Sequence, residues 1–521
     1  MRLLRTVLLR TLVVIAVVAL AATTACDKSQ DVPVPMPPLA VTDSQQGLTG
    51  PQRDSLHHVG EGDEFMPVAW LKSLNSVETG KPFLEHIERF GMIADPADPN
   101  GLPIGLSARK PTDLGRLSNK MVGFTCSACH TGQLTINGTT IVLEGGRSHV
   151  DAEGFERELM ASVDALKDPR TLAAFIGRVR SRPKSERDLD SLDIRNIPND
   201  LVAIRARMAT FIALKALLQK TPRTEAGYGR IDAFGTSRNL LYPDSPIDLT
   251  APVRDPQLWE MNTHRFLHWD GNTNSVMERN IGQAVAAGGL FDPKSGLTTL
   301  LPENLYALET LVGRITAPKW PAKLAGPIDA ALAARGSTIF AKECQSCHVM
   351  GHDTVVAVRY AGTDSMRSHV AGFPLHGKPY IEAAASLLTK AKEAAYAAAH
   401  VTPERATQME NGHLPTIWRF TGGYVGRSLS GVWAFAPYLH NGSVPTLDDL
   451  LKPPAERPVT FTIGGYEFDP VKVGLTTTPS LGVKPFVFDT RILGNSNAGH
   501  LWGTKLSADE RRALIEYLKT L

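Results

Sequence analysis

The chain has 521 residues, of which 43% are hydrophobic, and its 55 basic and 53 acidic side chains give a formal net charge of +2 at pH 7. A chain of this length can bury a large core and can form two or three domains. The charge is nearly balanced and the basic residues form no runs, which argues against a nucleic-acid partner and against recognition of acidic substrates.

The first 25 residues resemble a secretory signal peptide. Three arginines within the first ten residues precede an apolar stretch at 12–22, which is short for a membrane span of about 20 residues. Small residues then lead to Cys26 in a Thr-Thr-Ala-Cys segment, which resembles a bacterial lipobox. We therefore expect residues 1–25 to be removed and Cys26 to be lipidated, with cleavage alone as the alternative. Either outcome places the protein in the periplasm or cell envelope, or outside the cell.

Residues 26–50 are rich in proline and polar side chains, which predicts a stiff tether. Beyond the tether, apolar residues recur at helical spacing and few segments alternate as strands do. The sequence therefore predicts a mainly α fold with long loops. One exception is a small β-hairpin, predicted where 133–136 and 139–143 flank the dipeptide Asn137-Gly138. The predicted helices are 152–163, 172–179, 201–218, 304–312, 328–342 and 381–401.

Two segments read Cys-x-x-Cys-His, the attachment signature of c-type haem. Two thiols one helical turn apart can each form a thioether to a haem vinyl group, and the following histidine can bind the iron. The chain has 5 cysteines and the fifth is Cys26, so none is left for a structural disulfide. We predict two covalently bound haem c groups, held by Cys126, Cys129 and His130 and by Cys344, Cys347 and His348.

Three other uses of the paired cysteines were weighed: a zinc site, a thioredoxin-like redox pair and two local disulfides. A zinc site usually draws its ligand pairs from closer in the sequence than these two motifs. A thioredoxin-like pair does not require a histidine behind the second cysteine. Covalent haem is therefore the favoured interpretation.

The setting of the second motif predicts a domain boundary near residue 325. The motif continues from the end of the predicted helix 328–342, as in small cytochrome c domains. A second helix is predicted at 507–520, where Ser507 and Glu510 form a capping box. Cytochrome c domains pack their first and last helices together. We therefore predict two cytochrome c-like haem domains, 51–325 and 326–521, with the hairpin beside the first haem.

The ligand on the far side of each iron decides what that haem does, because a filled position makes an electron carrier and an open one binds O2 or peroxide. For the second haem, His440 and His500 lie in glycine-bounded loops, and we favour His500 as the ligand with His440 nearby. For the first haem, His149 could bind the iron or line its pocket, and Arg147 could pair with a haem propionate. The alternative for each is an ordinary loop or surface residue.

The segment 264–280 is unusually dense in aromatic, cationic and amide side chains. Trp269 could carry an electron between two haems, the alternative being core packing beside a glycine turn. His268, Glu278 and Arg279 are candidate catalytic groups, acting by proton donation or by stabilisation of charge.

The order of these motifs resembles that of the bacterial di-haem cytochrome c peroxidase and MauG superfamily. The matching segments are the two Cys-x-x-Cys-His motifs, Trp-Asp-Gly at 269–271 and Ala-Pro-Tyr-Leu-His-Asn-Gly-Ser-Val at 436–444. The resemblance implies an N-terminal haem that performs oxygen chemistry, a C-terminal six-coordinate haem that relays electrons, and Trp269 between them.

Within that superfamily the chain is most similar to the rubber-oxygenase-like, or RoxA-like, branch. The similarity lies in 126–130, 433–438 and 495–500. It implies a second haem with two histidine ligands, His348 and His500. Ala284 or Ile281 would stand near the place of the apolar residue that faces bound O2 in that branch.

The chain also departs from the peroxidases. Asn272 follows the Trp-Asp-Gly segment where they have arginine, and Arg279 stands about where they have a distal glutamine. Pro453 and Pro454 occupy the stretch that carries their methionine ligand. These differences weaken an assignment as an ordinary peroxidase.

The sequence as a whole predicts an exported di-haem c-type oxidoreductase that activates O2 or H2O2 at the first haem and uses the second as an electron relay. Its further partner would be a hydrophobic substrate or a redox protein. The alternative is a membrane-tethered di-haem electron-transfer protein without a substrate of its own, which a His149 ligand on the first iron would favour.

Overall fold

The computed structural model describes residues 41–43, 46–110, 120–183, 202, 222–349, 351–410, 415–480 and 482–521. The predicted signal peptide with Cys26, most of the predicted tether and almost all of the predicted helix 201–218 lie outside these residues. Of the described residues, 38% are helical and 15% lie in strands, so the fold is mixed rather than mainly α. The strands were underestimated because many have only two to four residues, too few to leave an alternating pattern.

Helices are spread along the described chain, and the longest is α13. Six of the seven predicted helices are confirmed, as α4, α5, α8, α10, α13 and α16 of the following series, and the remaining one, 201–218, lies almost wholly outside the described residues. The described helices are α1 (Gly50–His58), α2 (Val68–Leu71), α3 (Ser127–His130), α4 (Ala152–Asp164), α5 (Pro169–Ser181), α6 (Ala233–Leu241), α7 (Val276–Ala287), α8 (Pro302–Val312), α9 (Ala322–Ala325), α10 (Ala330–Glu343), α11 (Val358–Ala361), α12 (Met366–Gly372), α13 (Tyr380–Ala398), α14 (Pro403–Met409), α15 (Leu447–Leu450) and α16 (Ala508–Leu518).

Short 3-10 turns connect several of these elements, at Ile87–Phe90, Ala165–Lys167, Met261–Thr263, Val432–Ala434 and Pro454–Glu456. Within the described part of the chain, every helix is too short or too polar to cross a bilayer.

The strands form small separate sheets rather than one large layer. Two sheets have three strands, in the orders β1-β6-β5 and β2-β4-β3, and the others are two-stranded pairs. The strands are β1 (Val41–Asp43), β2 (Met66–Pro67), β3 (Leu106–Arg109), β4 (Met121–Phe124), β5 (Thr131–Ile136), β6 (Thr139–Glu144), β7 (Arg230–Ile231), β8 (Val253–Arg254), β9 (Val355–Ala357), β10 (Pro374–Leu375), β11 (Lys378–Pro379), β12 (Gly423–Val425), β13 (Thr460–Ile463), β14 (Phe468–Asp469), β15 (Gly474–Leu475) and β16 (Phe486–Asp489).

The predicted hairpin is confirmed as the antiparallel pair of β5 and β6. Its turn residues Asn137 and Gly138 have φ of 50° and 78°, the left-handed values that a two-residue hairpin turn requires. On its other side β6 pairs in parallel with β1. The last part of the predicted tether is therefore folded, because a strand there completes the open edge of the hairpin.

The first Cys-x-x-Cys-His motif lies between two strands. It forms the short helix α3 directly after β4, and β5 begins at the next residue. All ten residues of these two strands are buried. The first motif is therefore held from both sides by buried backbone.

The second motif lies at the end of a long helix. α10 crosses α16 closely, because a Cβ on Gly336 would collide with the carbonyl of Ala513. The capping box of Ser507 and Glu510 is present at the start of α16, as predicted. This pair of terminal helices is the arrangement expected of a cytochrome c domain.

One apolar core joins the two sides of the predicted domain boundary. It contains Leu134 and Ile141 of the hairpin together with Trp433 and Phe468 from the C-terminal part. The boundary near residue 325 stays a prediction, and the two halves are packed together whether or not they are separate folding units.

Candidate haem cavities

Each Cys-x-x-Cys-His motif borders its own cavity, so the two motifs do not build one shared zinc site. The four cysteines of the motifs are free, and the predicted alternative of local disulfides is wrong for the structure. The first cavity is lined on the motif side by Phe124, Thr125, Ala128 and Cys129, and elsewhere by residues that include Arg254, Asp255, His268, Trp269, Arg279, Gln283, Arg367 and Trp418.

The second cavity borders the second motif and is largely apolar. Its lining includes aliphatic side chains of α15 and α16. The polar and aromatic residues that line it include Arg147, Trp269, Cys344, Cys347, His348, Tyr424, Arg427, Tyr438, His440, His500 and Trp502.

His348 of the second motif is oriented by a backbone carbonyl. Its Nδ1 lies 2.7 Å from the carbonyl oxygen of Arg427, to which it donates a proton. Burial lowers the pKa of His348, which favours the neutral imidazole. A neutral ring whose Nδ1–H is held by a carbonyl presents Nε2 as a metal ligand, the usual arrangement around a metal-binding histidine.

His500 faces His348 across the second cavity. The two ring centroids are 6.4 Å apart. Two metal–imidazole bonds of about 2 Å each, added to the half-widths of the rings, need about this separation. Burial, and next the neighbouring His348, lower the pKa of His500 to about 3, so its ring is also neutral. The gap between these residues therefore fits one iron held from both sides.

The loop that carries His500 is fixed by its backbone. His500 has a left-handed φ of 46°, and its N–H donates to the carbonyl of Ala361 at 2.8 Å. Gly499 must be glycine, because a Cβ there would collide with the backbone of Gly362. Arg457, which sequence reasoning missed, donates to the carbonyls of both Gly499 and His500. No pattern around Arg457 could have shown this, since its partners lie in a distant loop.

His440 lies beside the pair rather than in it. Its ring stacks on Tyr424 with centroids 4.1 Å apart, and it lies 6.4 Å from the Trp269 ring. Burial lowers the pKa of His440 to about 3, and its Nε2 has no hydrogen-bond partner among the described residues. The structure therefore places His440 next to the second cavity's histidine pair, between Tyr424 and Trp269.

Trp269 lines both cavities. Its Nε1 donates to the carbonyl of Arg254 at 2.8 Å, and the Arg147 guanidinium lies 5.1 Å from its ring. The next residue, Asp270, is buried and paired with Arg367 at 3.1 Å. The indole is thus held in one orientation at the place where the two cavities approach each other.

Arg147 lies at the second cavity, not at the first as we expected. Its guanidinium donates to the carbonyls of Phe435 and Pro437, and burial lowers its pKa to about 9. The backbone of Arg147 does run beside β5, close to the first motif. The prediction rested on nearness in sequence to the first motif, whereas the side chain points to Phe435 and Pro437 in the C-terminal part of the chain.

The histidine of the first motif, His130, follows Cys129, which lines the first cavity, but is not itself one of the lining residues. His130 is buried, and burial together with the Arg279 charge lowers its pKa to about 3. Among the described residues the Nδ1 of His130 has no hydrogen-bond partner. The backbone carbonyl of Pro256 lies close to the ring. A neutral ring with uncommitted nitrogen, next to two cysteines, fits a haem ligand.

Two carboxyl groups next to the thiols, those of the buried Glu61 and the half-buried Asp255, were not expected from the sequence. The Glu61 carboxyl group is hydrogen-bonded to the Cys126 thiol, and the Asp255 carboxyl group to the Cys129 thiol. Burial raises the pKa of Glu61 and raises that of Asp255 to about 6. Burial also raises the pKa of the Cys126 and Cys129 thiols, so these two thiols are protonated at neutral pH.

α7 contributes one face to the first cavity. Arg279, Gln283 and Ala286 recur at helical spacing and line it. Ile281 and Ala284 lie on the opposite side of α7 in an apolar core, so neither faces this cavity. Gln283 was missed because no helix was predicted over 276–287, and only a helix there places it one turn after Arg279 on the same face.

His268 also lines the first cavity, and Glu278 does not. The Nδ1 of His268 lies 2.8 Å from Asn272 Oδ1, and burial lowers its pKa well below the usual value. Glu278 accepts a hydrogen bond of 2.7 Å from Trp418 Nε1 and pairs with Lys392 at 3.0 Å. Glu278 therefore lies behind Trp418 and positions it, which corrects our expectation that Glu278 is a pocket group.

His149 lines neither of the two cavities. Its ring packs edge-on against Tyr466 at 5.2 Å, and neither ring nitrogen has a hydrogen-bond partner among the described residues. Burial lowers the pKa of His149 to about 3. The prediction that His149 caps the first iron or lines its pocket is not met, because its ring packs against Tyr466 instead, although the backbone of Ser148 is bonded to Cys129 of the motif.

Comparison with known proteins identifies part of this arrangement. A family model described as RoxA-like, cytochrome c-like matches residues 423–462, which include Arg427, His440 and Arg457. The uncharacterized protein y4iJ of Sinorhizobium fredii (strain NBRC 101917 / NGR234) is 28% identical over 572 aligned positions, covering 92% of this chain and 93% of that protein. The uncharacterized protein y4iM of the same strain is 29% identical over 325 positions, covering 57% of this chain and 71% of that protein. The chain therefore contains a RoxA-like cytochrome c-like domain, which implies haem c and a redox function.

Proposed function

We propose that this protein is an exported di-haem c-type oxidoreductase of the RoxA-like branch, related to the peroxidase and MauG superfamily and tethered to the cell envelope through Cys26. The observation that carries the proposal is an asymmetry. The second cavity has two facing imidazoles, His348 and His500, whereas the one imidazole that lines the first cavity, His268, lies among cationic and amide groups, and Trp269 borders both.

The first haem would be held by Cys126, Cys129 and His130, and the second by Cys344, Cys347, His348 and His500. Bound haem supplies one-electron transfer, and at an iron with an exchangeable position it supplies activation of O2 or H2O2. The protein's own groups then decide which of these each site performs.

In the second cavity the surrounding residues orient both ligands. The Arg427 carbonyl fixes the Nδ1–H of His348, and the Arg427 guanidinium donates to the carbonyl of His268 in the first cavity. Arg457 holds the His500 loop. A site with two fixed neutral imidazoles suits electron storage and delivery.

In the first cavity Arg279 and Gln283 provide hydrogen-bond donors and positive charge where a reacting oxygen molecule would lie. His268 presents a lone pair at Nε2, because its Nδ1–H donates to Asn272 Oδ1 and the ring is neutral. Trp418 closes the wall and is held by Glu278. These groups suit reductive or oxidative chemistry of O2 or H2O2.

The remaining wall of the first cavity is apolar. Leu240 and Leu241 of α6 and Ile381, Ala384 and Leu388 of α13 line it. This wall favours a hydrophobic substrate over a second redox protein as the partner in the reaction.

The test uses protein expressed in a host that matures c-type cytochromes. We expect two haems per chain that stay with the protein in acid acetone, one iron with a low-spin bis-histidine signal by electron paramagnetic resonance, and one that binds CO. Two irons that both ignore CO and peroxide would contradict the oxidoreductase proposal.

Oxygenase and peroxidase chemistry are then separated by the co-substrate. O2 uptake with cleavage of an apolar polyene, without added peroxide, supports an oxygenase. Peroxide-dependent oxidation of a reduced c-type cytochrome supports a peroxidase.

One observation favours a second candidate, a di-haem electron carrier. His268 lines the first cavity with Nδ1 held by an amide oxygen, as a metal-bound histidine often is. In a carrier both irons are low-spin at rest, and His268→Ala converts the first to high-spin. In the oxidoreductase the resting first iron has no histidine at this position, and the same variant leaves its spin state unchanged.

A further inference from the structure

We propose that His57, His58 and Asp95 form a binding site for a divalent transition-metal ion, with Zn²⁺ as the best match, next to the first haem motif. One ligand atom from each residue lies within 4.8 Å of those of the other two. Two imidazole nitrogens and one carboxylate oxygen are a common donor set for Zn²⁺, which can take water as its fourth ligand. The proposal is independent of the function proposed above.

Each of the two histidines has one ring nitrogen held by a neighbouring group. Nε2 of His57 lies 2.9 and 3.0 Å from the two carboxylate oxygens of Glu144, and Nδ1 of His58 lies 2.8 Å from the carbonyl of Leu106. This leaves Nδ1 of His57 and Nε2 of His58 as the available ligands. A carboxylate or carbonyl on the outer nitrogen is the usual second partner of a metal-bound histidine.

The carboxylate of Asp95 is also preset. Its Oδ2 lies 3.0 Å from Nε2 of His58, about the distance between two ligands of one ion, and its Oδ1 accepts the N–H of Ala97 at 2.9 Å. The side chains of His58 and Asp95 are 17% and 16% exposed, whereas that of Glu144 is 5% exposed. An ion and a water ligand can therefore reach the site from solvent, while the Glu144 carboxylate that holds His57 is buried.

The site is linked to the first haem motif by short contacts. The Glu144 carboxylate that holds His57 also accepts a hydrogen bond of 3.4 Å from Thr131, the residue after His130. The carbonyl of His57 accepts one from Thr125, the residue before the motif, at 2.9 Å. A metal ion at His57 would thus join the end of α1 and the loop of Asp95 around the segment that carries the first haem. We infer a structural role, in which the ion stiffens this segment.

The experiment uses the intact haem-containing protein after treatment with a chelator. Zn²⁺ binding is measured by isothermal titration calorimetry, and bound zinc by mass spectrometry, a readout that haem iron does not affect. We expect one Zn²⁺ per chain and a rise in the melting temperature on binding. Asp95→Asn and His58→Gln should each weaken binding about tenfold or more. The exposed His400→Gln is the matched control and should bind as the parent protein does.

Two outcomes overturn the proposal. One is no Zn²⁺ binding by the chelated parent protein. The other is equal affinity in the parent, Asp95→Asn and His58→Gln, which would place the ion elsewhere. The haem content of each preparation is measured in parallel. A preparation that holds both haems but binds no Zn²⁺ contradicts the metal site alone and leaves the proposed function untouched.

Discussion

The two Cys-x-x-Cys-His regions have the same short motif in opposite settings. The first is enclosed between buried strands, and carboxyl groups lie against its thiols. The second lies at the C-terminal end of helix α10. Its histidine, His348, donates to the Arg427 carbonyl and lies opposite the imidazole of His500. The covalent attachment code is thus the same, while the residues brought from elsewhere in the chain make the two sites unlike. This difference is what separates a reactive site from a relay in the proposed function.

The largest expected effect is the loss of one haem. Replacing Cys344 and Cys347 by alanine should halve the covalent haem per chain, because each motif forms its own pair of thioethers. The matched variant replaces Cys126 and Cys129 and should leave the bis-histidine signal. Haem is measured by the pyridine haemochrome of acid-acetone-washed protein. Loss of both haems from either folded variant would show that the two sites are not independent.

The next effect is confined to the second site. His500→Ala should convert the second iron from low-spin to high-spin and allow it to bind CO, because no described imidazole other than His500 contacts His348. Electron paramagnetic resonance measures the change. His440→Ala is the control and should leave the spin state as it is, since His440 stacks on Tyr424. A low-spin signal that persists in His500→Ala would assign the ligand to another residue.

The connection between the sites is tested at Trp269. Trp269→Phe should slow electron transfer between the haems about tenfold, equal to about 1.4 kcal/mol of barrier, while both optical spectra are retained. The protein is reduced and then mixed with oxidant in a stopped-flow instrument, and the absorbance changes of the two haems give the rate of electron transfer between them. Trp320→Phe, which lines neither cavity, is the control. Equal rates for the two variants would remove Trp269 from the path.

The smallest effect is expected at Glu278. Glu278→Gln keeps an acceptor for Trp418 and removes the charge paired with Lys392, so turnover should change by less than about threefold. A residue that donated the reacting proton would instead lose about 10²-fold or more. Steady-state kinetics in whichever of the two assays, O2 uptake or peroxide-dependent oxidation, shows turnover of the parent protein separates these cases. Gln283→Ala, which removes a group that does line the first cavity, should have the larger effect.

Local features were predictable because they depend on residues a few positions apart. Asn137-Gly138 set the hairpin turn, Ser507 and Glu510 set the cap of α16, and apolar periodicity located five helices. Short strands such as β7 and β8 were not predictable, since two residues carry no pattern and pairing depends on a partner elsewhere. The mixed fold in place of a mainly α one follows from this.

By itself, the sequence determined the two attachment motifs, the order of the segments and the residues able to bind iron. Only the tertiary structure decided that His500 faces His348, that Arg147 serves the second cavity, and that Glu278 lies behind Trp418. Spacing along the chain determines which cysteines can form thioethers and which residues share a helical face. The direction of a side chain between two packed regions depends instead on the residues of all the elements that pack around it.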